Sequence, residues 1–368
     1  MDVLAKHAQA NAVFAPVLEG RVAASHAYLL HGPAGSGRSE VAALVATALL
    51  AEGSARDDTA SRVEARSHPD LTWITPAGAN GEVLVDDIRD RVVAAVPMTP
   101  FEARRRVFVI EGADRMNESA ANAFLKTLEE PPAFAHLILI ADSLDSVMPT
   151  LVSRCQTVRF DPAGTAELAA MLEREGVPTA LALECAELAD GDGARAKMLA
   201  EDSGGTLRRG GEELARAALT GSSATARPWV ELIASAAELG KAAGEEVRRE
   251  SEERLETAAR SERSRIERDA EEQGKRAQRR AESAAVDLAL FIAESWLRDL
   301  HRSSLGAGDL IANDRRRAEV TELSRSTAPS RVRFAIDMIG RTRRALRLNV
   351  TRELALESLA HRLDGVLR

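Results

Sequence analysis

The chain has 368 residues, enough for two or three domains of ordinary size. Its 45% apolar and 29% charged residues exclude a protein that is disordered throughout. Lys and Arg number 49 against 57 Asp and Glu, and the resulting net charge of −8 excludes a cationic coat for nucleic acid, so any DNA contact must be local or shared with partners.

The two cysteines, Cys155 and Cys185, are too few for a disulfide framework or a tetrathiolate zinc site. They favour a reducing, cytoplasmic compartment. Residues 1–20 lack the apolar core that a signal peptide requires, and no segment reaches 18 uncharged apolar residues. We therefore expect a cytoplasmic protein that does not span a membrane.

Short apolar runs alternate with helical patterns over the first 160 residues. Five runs predict strands, at residues 27–30, 71–74, 107–110, 137–140 and 157–160. Helical patterns lie between them, at residues 39–50, 85–96 and 119–128. Uninterrupted apolar strands separated by helices indicate a buried parallel sheet, so we predict an α/β domain of the nucleotide-binding type.

The strand signal disappears after about residue 161. Residues 165–174 and 178–188 predict a pair of helices, and the Gly-rich segment 201–205 predicts a linker. Three apolar stripes at helical spacing follow, beginning at Ala285, Val332 and Leu356. The predicted fold class is α/β followed by all-α, with domains at 1–163, 164–204 and 205–368.

A segment biased toward charge lies in the third domain. Residues 241–282 contain 12 Lys/Arg and 12 Asp/Glu, while Leu255, Ile266, Ala277 and Leu288 recur every eleven residues. This spacing predicts one continuous, solvated helix with a narrow apolar seam. A DNA-binding arm is the alternative, and the balanced charge weakens it because tracking phosphates requires a net cationic face.

A glycine-rich loop joins the first predicted strand to the first predicted helix after it. Its sequence, from Gly32 through Gly35 and Gly37 to Arg38 and Ser39, matches the phosphate-binding pattern G-x-x-x-x-G-K-[ST] except that arginine replaces lysine. A planar guanidinium does not reproduce the compact lysine charge. The first interpretation is a relic loop that binds ATP or ADP weakly or not at all. The alternative is a competent catalytic loop.

The second element of such sites is an apolar strand that ends in Asp-Glu, for Mg²⁺ and for the attacking water respectively. Here the strand at 107–110 ends in Glu111 and Gly112. Glu111 can approach a metal, but Gly112 has no side chain that could activate water. We therefore expect no ATP hydrolysis by this chain, and no cofactor that it requires.

Two further motifs are more specific than the loop. Residues 120–132 read Ala-Ala-Asn-Ala-Phe-Leu-Lys-Thr-Leu-Glu-Glu-Pro-Pro, and residues 149–156 read Pro-Thr-Leu-Val-Ser-Arg-Cys-Gln. Together they resemble the hallmark segments of bacterial DNA polymerase III clamp-loader subunits, which belong to the AAA+ family. The resemblance covers about residues 1–200 and implies a RecA-like AAA+ domain, a small helical lid and a C-terminal helical collar.

The resemblance also implies roles for two arginines. Arg154, within its Ser153-Arg154-Cys155 motif, corresponds to an arginine finger that faces the ATP site of an adjacent gamma/tau subunit; a surface arginine at a strand end is the alternative. Arg195 resembles a lid arginine that senses nucleotide, and packing of the lid is the alternative. Cys155 is expected to be a small buried hydrophobe rather than a nucleophile.

One family feature is missing. Relatives carry four cysteines of a zinc module just before the His68-Pro69-Asp70 segment, but residues 51–67 contain none. We therefore expect no zinc and no other metal, and a structural role for His68.

The resemblance, combined with Arg38, Glu111 and Gly112, implies a member of the family that does not hydrolyse ATP. Such a subunit would join gamma/tau and delta subunits in a ring that loads the sliding clamp on primed DNA, without catalysis of its own. An ATP-hydrolysing gamma/tau-like motor and a relic AAA+ scaffold of a DNA-repair assembly remain alternatives.

Overall fold

In the computed structural model of the chain, the described residues are 2–51, 56–76, 82–257, 263–312, 316–346 and 350–367. They form two compact units. Unit 1 contains Met1–Gly164 together with Gly191–Ala194, and unit 2 contains Thr165–Asp190 together with Arg195–Arg368.

Unit 1 is built on a sheet of five parallel strands. The strands are β1 (Ala27–His31), β2 (Leu71–Ile74), β3 (Arg106–Glu111), β4 (Ala135–Ala141) and β5 (Gln156–Arg159). Their order across the sheet is β2-β3-β4-β1-β5, and every pairing is parallel. All five predicted strands are present; β1, β3 and β4 are buried along nearly their whole length, and β5 at the sheet edge buries Val158.

Helices surround this sheet. They are α1 (Asp2–Ala5), α2 (Ala8–Leu18), α3 (Arg38–Leu50), α4 (Arg56–Glu64), α5 (Glu118–Glu129) and α6 (Pro149–Val152). A π-helical segment, Asp87–Val93, occupies the centre of the helix predicted at 85–96. The side chain of Asn117 caps α5 by accepting a hydrogen bond from the amide N–H of Ala120 at 2.8 Å.

The sheet separates two apolar cores. Along β4, Leu137 and Leu139 belong to one core, whereas Ile138 and Ile140 belong to the other. Phe124 of α5 packs in the first core. The alternation along β4 follows from the two-residue period of a strand, and it explains why the strand is apolar at every position.

Unit 2 consists of helices. They are α7 (Thr165–Arg174), α8 (Thr179–Leu188), most of α9 (Gly193–Ala200), α10 (Gly204–Thr220), α11 (Ser223–Ala226), α12 (Pro228–Thr257), α13 (Arg263–Ser304), α14 (Arg317–Ser324), α15 (Pro329–Leu346) and α16 (Arg352–Leu367). These elements confirm the fold class, α/β followed by all-α. The further separation into a lid and a collar stays a prediction.

The prediction of one continuous helix over residues 241–282 is wrong. The segment is divided between α12 and α13, and a Cβ added to Gly244 would lie 3.0 Å from the carbonyl oxygen of Gly274. Gly240 lies correspondingly close to Gln278. The helices therefore run antiparallel in close contact, because glycines allow the two backbones to approach. Residues 258–262 between them lie outside the described part of the chain.

Among the described residues, no helix is long and apolar enough to cross a bilayer.

Candidate nucleotide loop and arginine finger

The glycine-rich loop lies at the carboxyl edge of the sheet in unit 1. It follows β1 and leads into α3, and the ends of β3 and β4 lie at the same edge because all the strands are parallel. In open α/β sheets this edge is where ligands bind. The prediction that residues 32–39 join a strand to a helix is confirmed.

Arg38 points into the protein rather than into the loop. Its Nη1 donates to the carbonyl oxygen of Ala141, at the end of β4, and its Nη2 lies 2.8 Å from Oδ1 of Asp142. Arg38 is only 6% exposed. The cation that occupies the lysine position of a phosphate loop is thus paired with a carboxylate of its own chain.

Asp142 is the centre of this cluster. Arg115 makes a second ion pair with it, at 2.6 Å from Nη2 to Oδ2. Burial alone would raise the pKa of Asp142, but the charges and hydrogen bonds of Arg115 and Arg38 hold it below its ordinary value. The carboxylate is therefore ionised at neutral pH and neutralises Arg38. The neighbouring Asp114 has a raised pKa, first because of burial and then because of the charge of Asp142.

The outer side of the loop is covered by residues that come much later in the chain. The amide N–H of Gly193 donates to the carbonyl oxygen of Ala34 at 3.1 Å. Gly35 has a φ of +75°, and a Cβ added there would lie 2.6 Å from the Cα of Gly193. Gly35 is therefore needed for this contact, and a Cβ added to Gly193 would fit only tightly, at 3.3 Å from the Cα of Gly35.

Ser39 and Glu111 bind each other across the loop. The Ser39 hydroxyl donates to Oε1 of Glu111 at 3.0 Å, and Nη2 of Arg66 lies 3.8 Å from the same oxygen. The structure thus brings Ser39 and Glu111 together, as expected of residues from the two motifs.

Gly112 is required by its surroundings. Its φ is +73°, and a Cβ added there would lie 2.6 Å from Cγ of Pro76. A glutamate at this position, the residue that would activate water, would force both the backbone and Pro76 to move. The local structure therefore disfavours a catalytic carboxylate here.

Arg195 belongs to unit 2 and is engaged there. Its guanidinium carbon lies 3.4 Å from the ring centroid of Phe291 in α13, and Nη1 donates to the carbonyl oxygen of Ala189. These contacts engage Arg195 with α13 and with the end of α8, and its packing of a lid stays a prediction. Its role in sensing nucleotide stays a prediction.

Arg154 lies in the turn between α6 and β5, with a side chain 32% exposed. Its Nε and Nη2 both donate to Oε1 of Glu129, the former at 2.9 Å. Its Nη1 donates to the carbonyl oxygen of Thr150 at 2.9 Å and lies 3.3 Å from the hydroxyl of Ser153. The pair thus joins the two hallmark motifs of the sequence, because Glu129 comes from one and Arg154 from the other.

Cys155 packs beside the core that contains Phe124, and burial raises the pKa of its thiol to about 12. Burial likewise raises the pKa of Cys185 to about 11. Both thiols are therefore protonated at neutral pH, which makes them poor nucleophiles, as expected for Cys155.

No group of three or more His, Cys, Asp or Glu side chains that could hold a metal occurs among the described residues. His68 accepts a hydrogen bond at Nδ1 from the amide N–H of Asp70, at 3.1 Å, and its Nε2 lies 3.2 Å from Oε1 of Glu102. Both ring nitrogens are thus used within the fold. The absence of zinc from the protein stays a prediction.

The sequence interpretation missed three residues of the site, namely Asp142, Gly193 and Glu129. Asp142 was open to prediction, since an acidic residue directly after a buried parallel strand lies at the ligand edge of the sheet. Gly193 was not, because its contact with Gly35 joins segments about 160 residues apart in the sequence.

Comparison with known proteins identifies the amino-terminal part of the chain. Residues 12–164 match the family model described as DNA polymerase III, delta subunit. These residues are therefore similar to that family, and they make up less than half of the chain. The match confirms the resemblance to DNA polymerase III clamp-loader subunits.

Curated relatives carry the names of several subunits. The delta-prime subunit of Pseudomonas aeruginosa is 38% identical over 144 residues, which cover 38% of this chain and 44% of the relative. The delta-prime subunit of Bacillus subtilis is 33% identical over 147 residues, covering 38% and 43%. The tau subunit of Bacillus subtilis is 36% identical over 143 residues, covering 37% and 24%. The matches thus span less than half the length of each of these relatives.

Among solved structures, a DNA polymerase III gamma-subunit-related protein of Thermotoga maritima aligns over 96% of this chain and 97% of its own, at 17% identity and a TM-score of 0.39.

Proposed function

We propose that this chain is a delta-prime-type subunit of a bacterial clamp loader, one that does not hydrolyse ATP and that completes the ATP site of a neighbouring subunit. The observation that carries the proposal is the state of Arg38. Its guanidinium is buried and bound to Ala141 and Asp142, where a nucleotide-binding loop needs a cation free to meet phosphate.

The other contacts of the loop support the same conclusion. Gly193 lies against Gly35, and Gly112 with its neighbour Pro76 leaves no room for a carboxylate that activates water. A bound ATP would have to displace the first contact, and a water-activating group would still be missing. The chain would therefore contribute to the complex through its contacts with neighbouring subunits rather than through ATP hydrolysis of its own.

Arg154 is the residue of that surface that would contribute to ATP hydrolysis in the neighbouring subunit. It lies outside the loop, is partly exposed, and sits in the motif that resembles the arginine finger of the family. Placed beside a neighbour's γ-phosphate, its guanidinium would stabilise the negative charge that develops during phosphoryl transfer. The partners in this proposal are gamma/tau and delta subunits in a ring, the sliding clamp and primed DNA.

A gamma/tau-like motor is the second candidate, since the tau subunit of Bacillus subtilis, at 36% identity, lies between the two delta-prime subunits, at 38% and 33%. Overall identity does not separate the two candidates. The contacts of the loop favour the delta-prime-type candidate, because a motor would need Arg38 to leave Asp142 and Gly193 to leave Gly35.

The proposal is tested by ATP turnover in a complex reconstituted with gamma/tau and delta subunits, clamp and primed DNA. We expect Arg154→Ala to leave assembly intact and to slow turnover by about tenfold, less than the thousandfold or more of a single essential finger because several ATP sites share the work. Arg154→Lys should restore little, since an ammonium cannot reproduce the guanidinium fork. Wild-type turnover by the Arg154→Ala complex would contradict the proposal.

A further inference from the structure

We propose that Glu129 is a positioning residue for Arg154, which presents the guanidinium to the terminal phosphate of a nucleoside triphosphate bound by another subunit. This inference rests on the proposed function and adds to it a second residue from a different motif. Glu129 does not meet the phosphate itself in this proposal.

The geometry around Arg154 supports positioning from two sides. On one side, Oε1 of Glu129 accepts hydrogen bonds from both Nε and Nη2 of Arg154. On the other side, Nη1 of Arg154 donates to the carbonyl oxygen of Thr150 and to the hydroxyl of Ser153. A long arginine side chain on a turn samples many rotamers unless such contacts restrain it. These contacts use four of the five guanidinium N–H groups, and the fifth, on Nη2, is left to meet the phosphate.

The surface next to the pair has room for a ligand. An open depression of about 530 Å³ adjoins Arg154 and is lined by His26, Leu128, Glu129, Ser153 and Arg154. It lies in unit 1, away from the loop at residues 32–39, and its cationic group is Arg154. A group that enters it from a neighbouring subunit therefore meets the guanidinium.

Stability alone does not account for the pair. The Arg154 side chain is 32% exposed and the Glu129 side chain 47% exposed, and ion pairs this open to solvent contribute little to folding. Holding a catalytic group in its productive geometry, in contrast, can change a rate by one or two orders of magnitude. The expected benefit of the pair is therefore on turnover rather than on folding.

The competing hypothesis is a latch, in which the Glu129 carboxylate competes with phosphate for the guanidinium. Such a latch would slow turnover, so its removal would accelerate the reaction. We favour positioning because Arg154 is held at Nη1 as well, so removing Glu129 would leave the guanidinium tilted on one anchor rather than released.

The test compares four complexes, reconstituted as above with wild-type, Glu129→Gln, Arg154→Ala and the double variant. We expect Glu129→Gln to lower kcat about three- to tenfold with little change in KM for ATP. The double variant should turn over at the rate of Arg154→Ala alone, because Glu129 acts only through Arg154. Glu130→Gln, at the exposed neighbouring glutamate, is the matched control and should match the wild type.

Each of the other outcomes contradicts either the positioning role of Glu129 or the proposed function. Unchanged or faster turnover with Glu129→Gln, while Arg154→Ala is slow, overturns the positioning role and leaves the proposed function standing. Additive losses in the double variant overturn it too, since Glu129 would then act separately. Wild-type turnover with Arg154→Ala overturns the proposed function and this inference with it. If Glu129→Gln does not assemble, Glu129→Asp, which keeps the charge on a shorter arm, is compared by the same criteria.

Discussion

At the scale of single residues, the three positions that depart from the pattern of an active ATP site each have a neighbour within unit 1: Arg38 pairs with Asp142, Glu111 accepts from Ser39, and Gly112 lies against Pro76. Arg38, Glu111 and Gly112 were all recognised from their motifs. Their new partners were not, since Asp142 lies 104 positions from Arg38 in the sequence and Pro76 lies 36 positions from Gly112. Which distant side chain meets which follows from strand order, and the sequence pattern leaves that order open.

Asp70 gives a prediction at this scale. It is 1% exposed and accepts backbone hydrogen bonds from Phe101, Glu102 and Ala103, at 2.5 to 2.9 Å. Asp70→Asn keeps the shape but loses the charge that these donors require, and we expect it to lower the free energy of unfolding by about 2 kcal/mol. Urea denaturation at pH 7 measures this loss. The exposed Asp90, replaced by Asn, is the control and should change stability little.

The same residue gives a pH dependence. Burial alone would raise the pKa of Asp70, but the three backbone donors hold it below its ordinary value. A depressed folded-state pKa means that the stabilisation is present above the unfolded-state value, near 4, and is lost as the pH falls through the folded-state pKa. The difference between wild type and Asp70→Asn should therefore shrink in acid; a difference that grows below pH 4 would contradict this assignment.

At the scale of elements, prediction succeeded where burial dictates the pattern. The inner strands β1, β3 and β4 were predictable because each is apolar on both faces, as a strand between two cores must be, whereas the edge strand β5 is polar except at Val158, which is buried. The segment 241–282 was not, because an apolar seam with a period of eleven fits a helix that leans on any neighbour. The sequence does not show that the neighbour of α12 is α13. Glycines at 240, 244 and 274 were the signal that close helix packing would follow.

A glycine in unit 2 tests whether glycines are required where two helices pack closely. A Cβ added to Gly211 in α10 would lie 2.3 Å from the carbonyl oxygen of Ala289 and 2.9 Å from Cβ of Ile292, both in α13. We expect Gly211→Ala to destabilise by about 2 kcal/mol, because overpacking outweighs the gain in helix propensity. Gly365→Ala, in α16 with nothing within 4 Å, should instead stabilise by up to about 1 kcal/mol. Equal thermal shifts for the two variants would show that α10 and α13 are not in this contact.

At the scale of the whole molecule, the family match covers most of unit 1 but not unit 2. The family match ends at residue 164, where the first segment of unit 1 ends, whereas the residues after about 200 were predictable only as helical. The apolar faces of helices can be buried in several different packing arrangements, so the sequence pattern alone does not determine which helices of unit 2 pack together. The functional assignment therefore rests on unit 1 and on the state of its loop.

The central claim is that the loop of unit 1 is closed by the protein's own residues. Isothermal titration of the purified chain with ATP and Mg²⁺ tests it most directly. Because Asp142 holds Arg38 and Gly193 covers Gly35, we predict no saturable binding at micromolar ATP concentrations and no ATP turnover by the same sample. Binding of one ATP per chain that is lost with Ser39→Ala would contradict the account.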